Sequence, residues 1–276
     1  MSSNGAEDAT HPPTVAVVVP CYNSGPLVLE AVASARAQTY PDIEITVVDD
    51  GSSDRATLRA LERLPEGVRL IRQANAGPSA ARNAAIAATD AAFVLPLDAD
   101  DRLGPRAAEL GSHHLGADLD VGIVAGAMTL VGAASGRHPC AYTGPESMLR
   151  HTTIPNISAF RRDDWLAVGG YPETVRRGED WAFWMRILRL GRTVVVVPDV
   201  FYEYRVSKNQ ASGQVDPVAT AAGANLVLDE NRDLYARHPD LVVDELIATR
   251  ALLAQFRRTY GWQERTRAVL RRRLRR

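Results

Sequence analysis

Cysteine is nearly missing from this chain: Cys21 and Cys140 are the two in 276 residues. Two thiols this far apart make no disulfide framework, and without a His-rich partner spacing they make no structural zinc site. No apolar run reaches the roughly 20 residues that a membrane-spanning helix needs. Residues 1–13 are polar and small, without the basic start and apolar centre of a secretory leader. A cytoplasmic protein is the expectation, with peripheral membrane contact left open. Nor is there an excess of positive charge: the formal net charge is −1, so nothing global draws the chain to nucleic acid, and no nucleic-acid partner is expected. No Gly-x-Gly-x-x-Gly follows the first apolar run, which excludes the usual dinucleotide-binding dehydrogenase.

What the sequence does contain is a strand–helix alternation. Val15–Val19, Ile43–Val48, Val68–Arg72 and Ala92–Leu97 are short apolar, β-branched runs, predicted as strands, the first two buried on both faces. Between them Leu27–Gln38, Asp54–Leu64 and Pro78–Ala88 are predicted helices, with Asp54 placed to cap the second and Pro78 near the first turn of the third. Alternation of this kind predicts an α/β fold with a mostly parallel sheet flanked by helices. Further on, Val121–Val131, Ile154–Phe160 and Thr193–Val197 are expected strands. Asp163–Val168 and Asp180–Leu190 are expected helices. From about Pro217 the pattern is helical. The domain reading is a flexible 1–13, a domain over 14–213 and a helical extension with a basic tail over 214–276.

Ligands of open parallel sheets bind outside the carboxyl ends of the strands. The polar clusters of this chain fall at those ends: Tyr22 and Asn23, then Asp49 and Asp50, then Asp98 and Asp100. Asp98 and Asp100 stand two apart at the end of an apolar strand. In an extended segment both carboxylates point the same way and can converge on Mg2+ or Mn2+ together with substrate phosphates. Such a cation would neutralise a departing diphosphate. An isolated Asp-x-Asp reads first as an acidic surface turn; three strand-end clusters together argue for a site. Asp50, at the end of Thr46–Asp49, is placed to accept a hydrogen bond from the imide N–H of a base such as uracil. The competing reading of Asp49 and Asp50 is a turn and helix cap.

These pieces, taken in order, resemble the family 2 glycosyltransferases of GT-A fold. Val17-Val18-Val19-Pro20-Cys21-Tyr22-Asn23 is similar to the family's opening strand and turn, and Val47–Ser52 to its Asp-Asp-Gly-Ser motif. Asn75-Ala76-Gly77 running to Ala81-Arg82-Asn83, then Leu97–Asp101, Gly178–Trp181 and Tyr204-Arg205 to Ser212 resemble its later motifs. Each is weak alone; their order is specific, over about residues 14–212. The resemblance implies an inverting transfer of sugar from a nucleotide-diphosphate donor, a UDP-sugar favoured, to an acceptor hydroxyl, with a divalent cation. It implies a nucleotide side of Pro20, Tyr22, Asn23, Asp49, Asp50, Asn75, Arg82 and Asp98, and metal ligands Asp98 and Asp100. It makes Asp180 the general base. The bland reading of Glu179 and Asp180 is that carboxylates suit a helix N-terminus, at about 0.3–1 kcal/mol each.

Glu179 and Trp181 are candidate acceptor residues. Trp181 suits an acceptor pocket or core packing, and Trp184 the core. Many relatives carry His two residues after the position of Arg205; here it is Ser207, a poor metal ligand beside imidazole. Lys208 can supply charge to the diphosphate instead, with Arg205 in the same donor loop. Two alternatives remain. A sugar nucleotidyltransferase usually needs a Gly-rich basic loop after the first strand, which Pro20–Pro26 lacks. A non-catalytic nucleotide-sugar binder or scaffold is favoured only by Ser207. Leu241, Val242, Leu246, Ile247, Leu252, Leu253 and Phe256 could form an apolar stripe ahead of nine arginines between Arg257 and Arg276. Peripheral membrane contact, a homodimer contact and a solvated basic end are all open readings of that region.

Overall fold

The computed structural model describes residues 13–206 and 216–241, together with 243, 244, 247, 250 and 251. The first strand, β1 (Val15–Cys21), is apolar throughout because it lies in mid-sheet. Val15, Ala16, Val17, Val18 and Val19 are no more than 2% exposed. Fully burying one such valine stabilises the fold by about 1.5–3 kcal/mol. α1 (Leu27–Arg36) follows, burying Val28, Ala31, Val32 and Ala35, the three- and four-residue spacing of one helical face. After β2 (Ile43–Asp49), Asp54 caps α2 (Arg55–Leu61) by accepting the Thr57 N–H at 2.8 Å. β3 (Val68–Arg72), α3 (Pro78–Ala87) and β4 (Phe93–Pro96) complete the first half.

β1 pairs in parallel with both β2 and β4, and β2 with β3, giving the local order β3-β2-β1-β4. The chain therefore winds outward from β1 to one side, then returns to place β4 on the other. Such a reversal opens a crevice at the carboxyl ends of the two central strands.

The second half adds β5 (Arg102–Leu103), α4 (Ala107–Ala117), β6 (Val121–Gly132), β7 (Gly136–His138) and a 3-10 turn, Pro145–Leu149. Then come β8 (Ala159–Arg161), α5 (Arg162–Val168), α6 (Glu179–Arg189) and β9 (Thr193–Val206). The sheet continues β4-β8-β6-β9-β5, with β8 antiparallel to both of its neighbours and β9 parallel to β6.

Two expectations are corrected here. The predicted strand Ile154–Phe160 is paired only from Ala159. Pro155 cannot donate to a ladder, and residues 154–158 instead form a buried loop with Ile154 and Ile157 each 1% exposed. The strand expected to stop at Val197 runs on to Val206. Pro198 is accommodated because pairing with β6 skips from Val196 to Val200 at a register shift.

α7 (Pro217–Glu230) and α8 (Arg232–Arg237) lie in the C-terminal stretch. Two compact units divide between Val227 and Leu228. Among the described residues no helix is long and apolar enough to cross a membrane. Of the expected apolar stripe, Ile247 is exposed. Val242, Leu246, Leu252, Leu253, Phe256 and the terminal arginines lie outside the described residues, as do Ser207 and Lys208.

Candidate active site

A cleft of about 640 Å³ opens at the carboxyl ends of β1, β2 and β4. Its walls include Pro20, Tyr22 and Asn23 after β1, Asp50 after β2, Asn75 and Gly77 ahead of α3, and Asp98 and Asp100 after β4. Tyr22 is 52% exposed, a large aromatic face left open at a cleft.

The loops around the cleft hold one another. Asn23 has φ 51°, a left-handed conformation that Asn tolerates better than most residues. Its Oδ1 accepts the N–H groups of Ser53 (2.9 Å) and Asp54 (3.1 Å), and its own N–H donates to Ser52 Oγ. Gly51, at φ +75°, lies so close to the next loop that a Cβ there would sit 2.8 Å from the Asn75 nitrogen. Asp49 is 4% exposed, accepts the Ser52 N–H at 2.9 Å and is not part of the cleft wall.

Asp50 is 3% exposed and already accepts three hydrogen bonds. They come from Gln73 Nε2 (2.8 Å) and the Ala76 N–H (2.9 Å) to Oδ1, and from the Gly77 N–H (2.8 Å) to Oδ2. An ionised carboxyl offers about four acceptor positions, so one remains for a donor entering the cleft.

The acidic segment after β4 is a turn, not an extended strand: the Asp101 N–H donates to the Asp98 carbonyl at 3.0 Å. The same-side argument for Asp98 and Asp100 therefore does not apply, although both line the cleft. Asp98 accepts from Arg82 Nη2 at 2.8 Å and from the Asn156 amide at 3.3 Å. Burial first, and the neighbouring Asp98 second, raise the Asp100 carboxyl above its ordinary value. The same two causes push Asp101 up to about 8. Asp101 is 2% exposed and accepts the Arg205 N–H at 2.8 Å. Arg205 is also tied by Nε to the Asp100 carbonyl and by Nη2 to Glu30, and it does not line the cleft.

The donor set suits a divalent cation that arrives with its substrate. Among the described residues no three His, Cys, Asp or Glu groups form a ready-made cage. Asp100 lines the cleft beside the like charge of Asp98. Mg2+ commonly uses one or two carboxylates and completes its shell with substrate phosphates and water.

Arg82 connects this turn to the next candidate group. It is 3% exposed, its Nη2 on Asp98 and its Nη1 on Glu179 Oε1 at 3.1 Å, with its guanidinium 5.5 Å from the centre of the Tyr171 ring. A planar fork can serve two carboxylates at once; an ammonium cannot copy it. Gly178, at φ +74°, turns the chain into α6, so that Glu179 and Asp180 occupy its first turn. Asp180 Oδ1 accepts the Trp181 N–H at 2.8 Å. Burial, then the charge of Glu179, raise its carboxyl to about 6. Trp181 donates Nε1–H to the Met148 carbonyl at 2.7 Å, whereas Trp184 is fully buried against Phe160.

The cleft wall thus gathers Pro20, Tyr22, Asn23, Asp50, Asn75, Asp98 and Asp100. Arg82, Glu179, Asp180, Trp181 and Arg205 stand outside that wall, the first two joined to it through Asp98. Lys208 lies outside the described residues. Reading the sequence missed Gln73, Asn156 and Arg176. Asn156 follows a proline in an irregular loop and offers no periodic signal. Arg176 stands two residues before Gly178 and could have been found as a cation beside the Glu-Asp pair.

A parallel half-sheet with an acidic turn at its switch point is an architecture of GT-A type. Residues 16–129 match the family model "Glycosyl transferase family 2". Over those residues, somewhat under half of its length, the chain is similar to the family 2 glycosyltransferases. A chondroitin synthase of Escherichia coli is 27% identical over 186 residues, which is 65% of this chain and 27% of that protein. This chain thus spans about a quarter of that relative. Among solved structures, TarS 1-349 of Staphylococcus aureus in complex with UDP-GlcNAc superposes with a TM-score of 0.67 at 22% identity, covering 79% of this chain and 66% of that one. The mannosyltransferase PcManGT from Pyrobaculum calidifontis, in complex with GDP-Man and Mn2+, gives 0.56 at 23% identity, covering 92% and 84%.

Proposed function

We propose that this chain transfers a sugar, with inversion, from a nucleoside-diphosphate donor to an acceptor hydroxyl. The carrying observation is the convergence of Asp50, with one acceptor position unused, and the Asp98–Asp100 turn in a single cleft at the sheet's switch point. Asp50 accepts the imide N–H of the base, beside the exposed ring of Tyr22 and the Asn23 and Asn75 loops. Uracil is the favoured base; the solved relatives bind UDP-GlcNAc in one case and GDP-Man with Mn2+ in the other. Asp100, with Asp98, would hold Mg2+ or Mn2+, which when bound supplies positive charge to the diphosphate. Arg82 holds Asp98 in place and leaves Asp100 open.

Asp180 is the general base. The acceptor oxygen bonds to the anomeric carbon as the bond from that carbon to the diphosphate oxygen breaks. The acceptor proton passes to Asp180 and the nucleoside diphosphate leaves with the bonding pair. A carboxyl raised to about 6 is ionised at neutral pH yet more basic than an ordinary one, which suits it to take a hydroxyl proton late in bond formation. The general base contributes on the order of 10²–10⁴ to rate. Asp180→Asn should lower transfer by about that factor with donor affinity nearly unchanged. Turnover close to that of the unmodified chain would remove Asp180 from this role.

A further inference from the structure

The cleft has an unbalanced charge. Its walls carry the carboxylates of Asp50, Asp98 and Asp100, yet the proposed donor is itself an anion. Two of the arginines expected to serve it are engaged elsewhere. Arg82 is buried between Asp98 and Glu179. Arg205 is held by the Asp100 carbonyl and Glu30. Among the described residues one cation lines the cleft, and it is Arg176. Its Nη1 comes within 3.9 Å of where a side chain on Gly77 would begin, close to the backbone that donates to Asp50. It is exposed.

We infer that Arg176 is the donor-binding cation of this chain, pairing its guanidinium with phosphate oxygens of the nucleoside diphosphate. The inference rests on the donor reading above and names the residue that completes it. Arg suits the task because its fork matches two phosphate oxygens and keeps its charge at any working pH. The missing side chain at Gly77 leaves room for that fork beside α3. Arg176 also precedes Gly178, the left-handed residue that starts α6, by two positions. A phosphate held here therefore steadies the segment that presents Glu179 and Asp180.

The test is calorimetric titration of the full chain with uridine, UMP and UDP, and with guanosine, GMP and GDP, in Mn2+, for the native form, Arg176→Ala and Arg176→Lys. Circular dichroism melts of all three confirm folding. Losing a charged hydrogen-bonding partner is worth on the order of 10- to 100-fold in affinity. Arg176→Ala should weaken the diphosphate by that factor and the nucleoside by less than about twofold, with Arg176→Lys in between because a point charge remains. Unchanged diphosphate affinity in Arg176→Ala overturns the inference while the donor reading stands. So does an equal loss for nucleoside and diphosphate, which would place Arg176 on the base. If the native chain binds neither series, the donor reading fails and takes this inference with it.

Discussion

The chemistry of the site turns on how single carboxylates are surrounded. Asp180 sits where desolvation and Glu179 both disfavour its charge, and its own helix supplies one compensating N–H. A base must be ionised to act, and a raised carboxyl loses its charge as pH falls through its shifted value. The acceptor-dependent rate should therefore rise with pH up to about 6 and level above it. The profile of kcat/KM between pH 5 and 8 checks this; a rate already flat from pH 5 would show that Asp180 titrates no higher than an ordinary carboxylate. Asp101 illustrates the opposite use of the same physics. It is buried, pushed up to about 8 and bonded to the Arg205 backbone, so it anchors the turn rather than facing substrate.

Among elements, the start of α6 depends on a backbone contact from α7. Gly223 packs against Arg177 and Gly178 so closely that a Cβ would lie 2.0 Å from the Arg177 carbonyl oxygen. A clash with backbone cannot be relieved by a rotamer change, so α7 or the α6 entry must move. Gly223→Ala should cut kcat at least about tenfold, since about 1 Å of misplacement can cost 10²-fold. Donor affinity, read by nucleotide titration, should fall as well, because Arg176 in the cleft wall directly precedes the displaced Arg177. Unchanged kcat would show that α6 holds its place without α7.

The elements of the first half were legible in the sequence because their signals are local. Mid-sheet strands read as unbroken apolar runs, Asp54 is a recognisable cap, and the acidic clusters lie at strand ends. Residues 154–158 were not legible. Ile154 and Ile157 are buried like strand residues, but Pro155 breaks the ladder and Asn156 turns toward Asp98. Neither was the bend of Asp98–Asp101, since one backbone hydrogen bond decides between an extended segment and a turn. Arg176 had a local signal, a cation two residues ahead of the Gly-Glu-Asp run, but its place beside Gly77, far away in sequence, is set by the fold.

At the scale of the molecule, the reversal of strand order at β1 makes the cleft. β8, antiparallel between β4 and β6, then follows directly on the Asn156 loop that meets the same wall. Binding a ligand that prefers the folded state stabilises it by RT ln(1 + [L]/Kd), about 2.7 kcal/mol at a hundred times Kd. For a domain of this size each kcal/mol moves Tm by roughly 2–4 °C. The most direct test of the account is thermal denaturation of the full chain with UDP-, dTDP- and GDP-sugars, each with and without Mn2+. The account predicts that a nucleotide sugar of one base raises Tm by about 5–10 °C at saturation, with the larger shift in the presence of Mn2+. No shift with any of the three, with or without the cation, would contradict it.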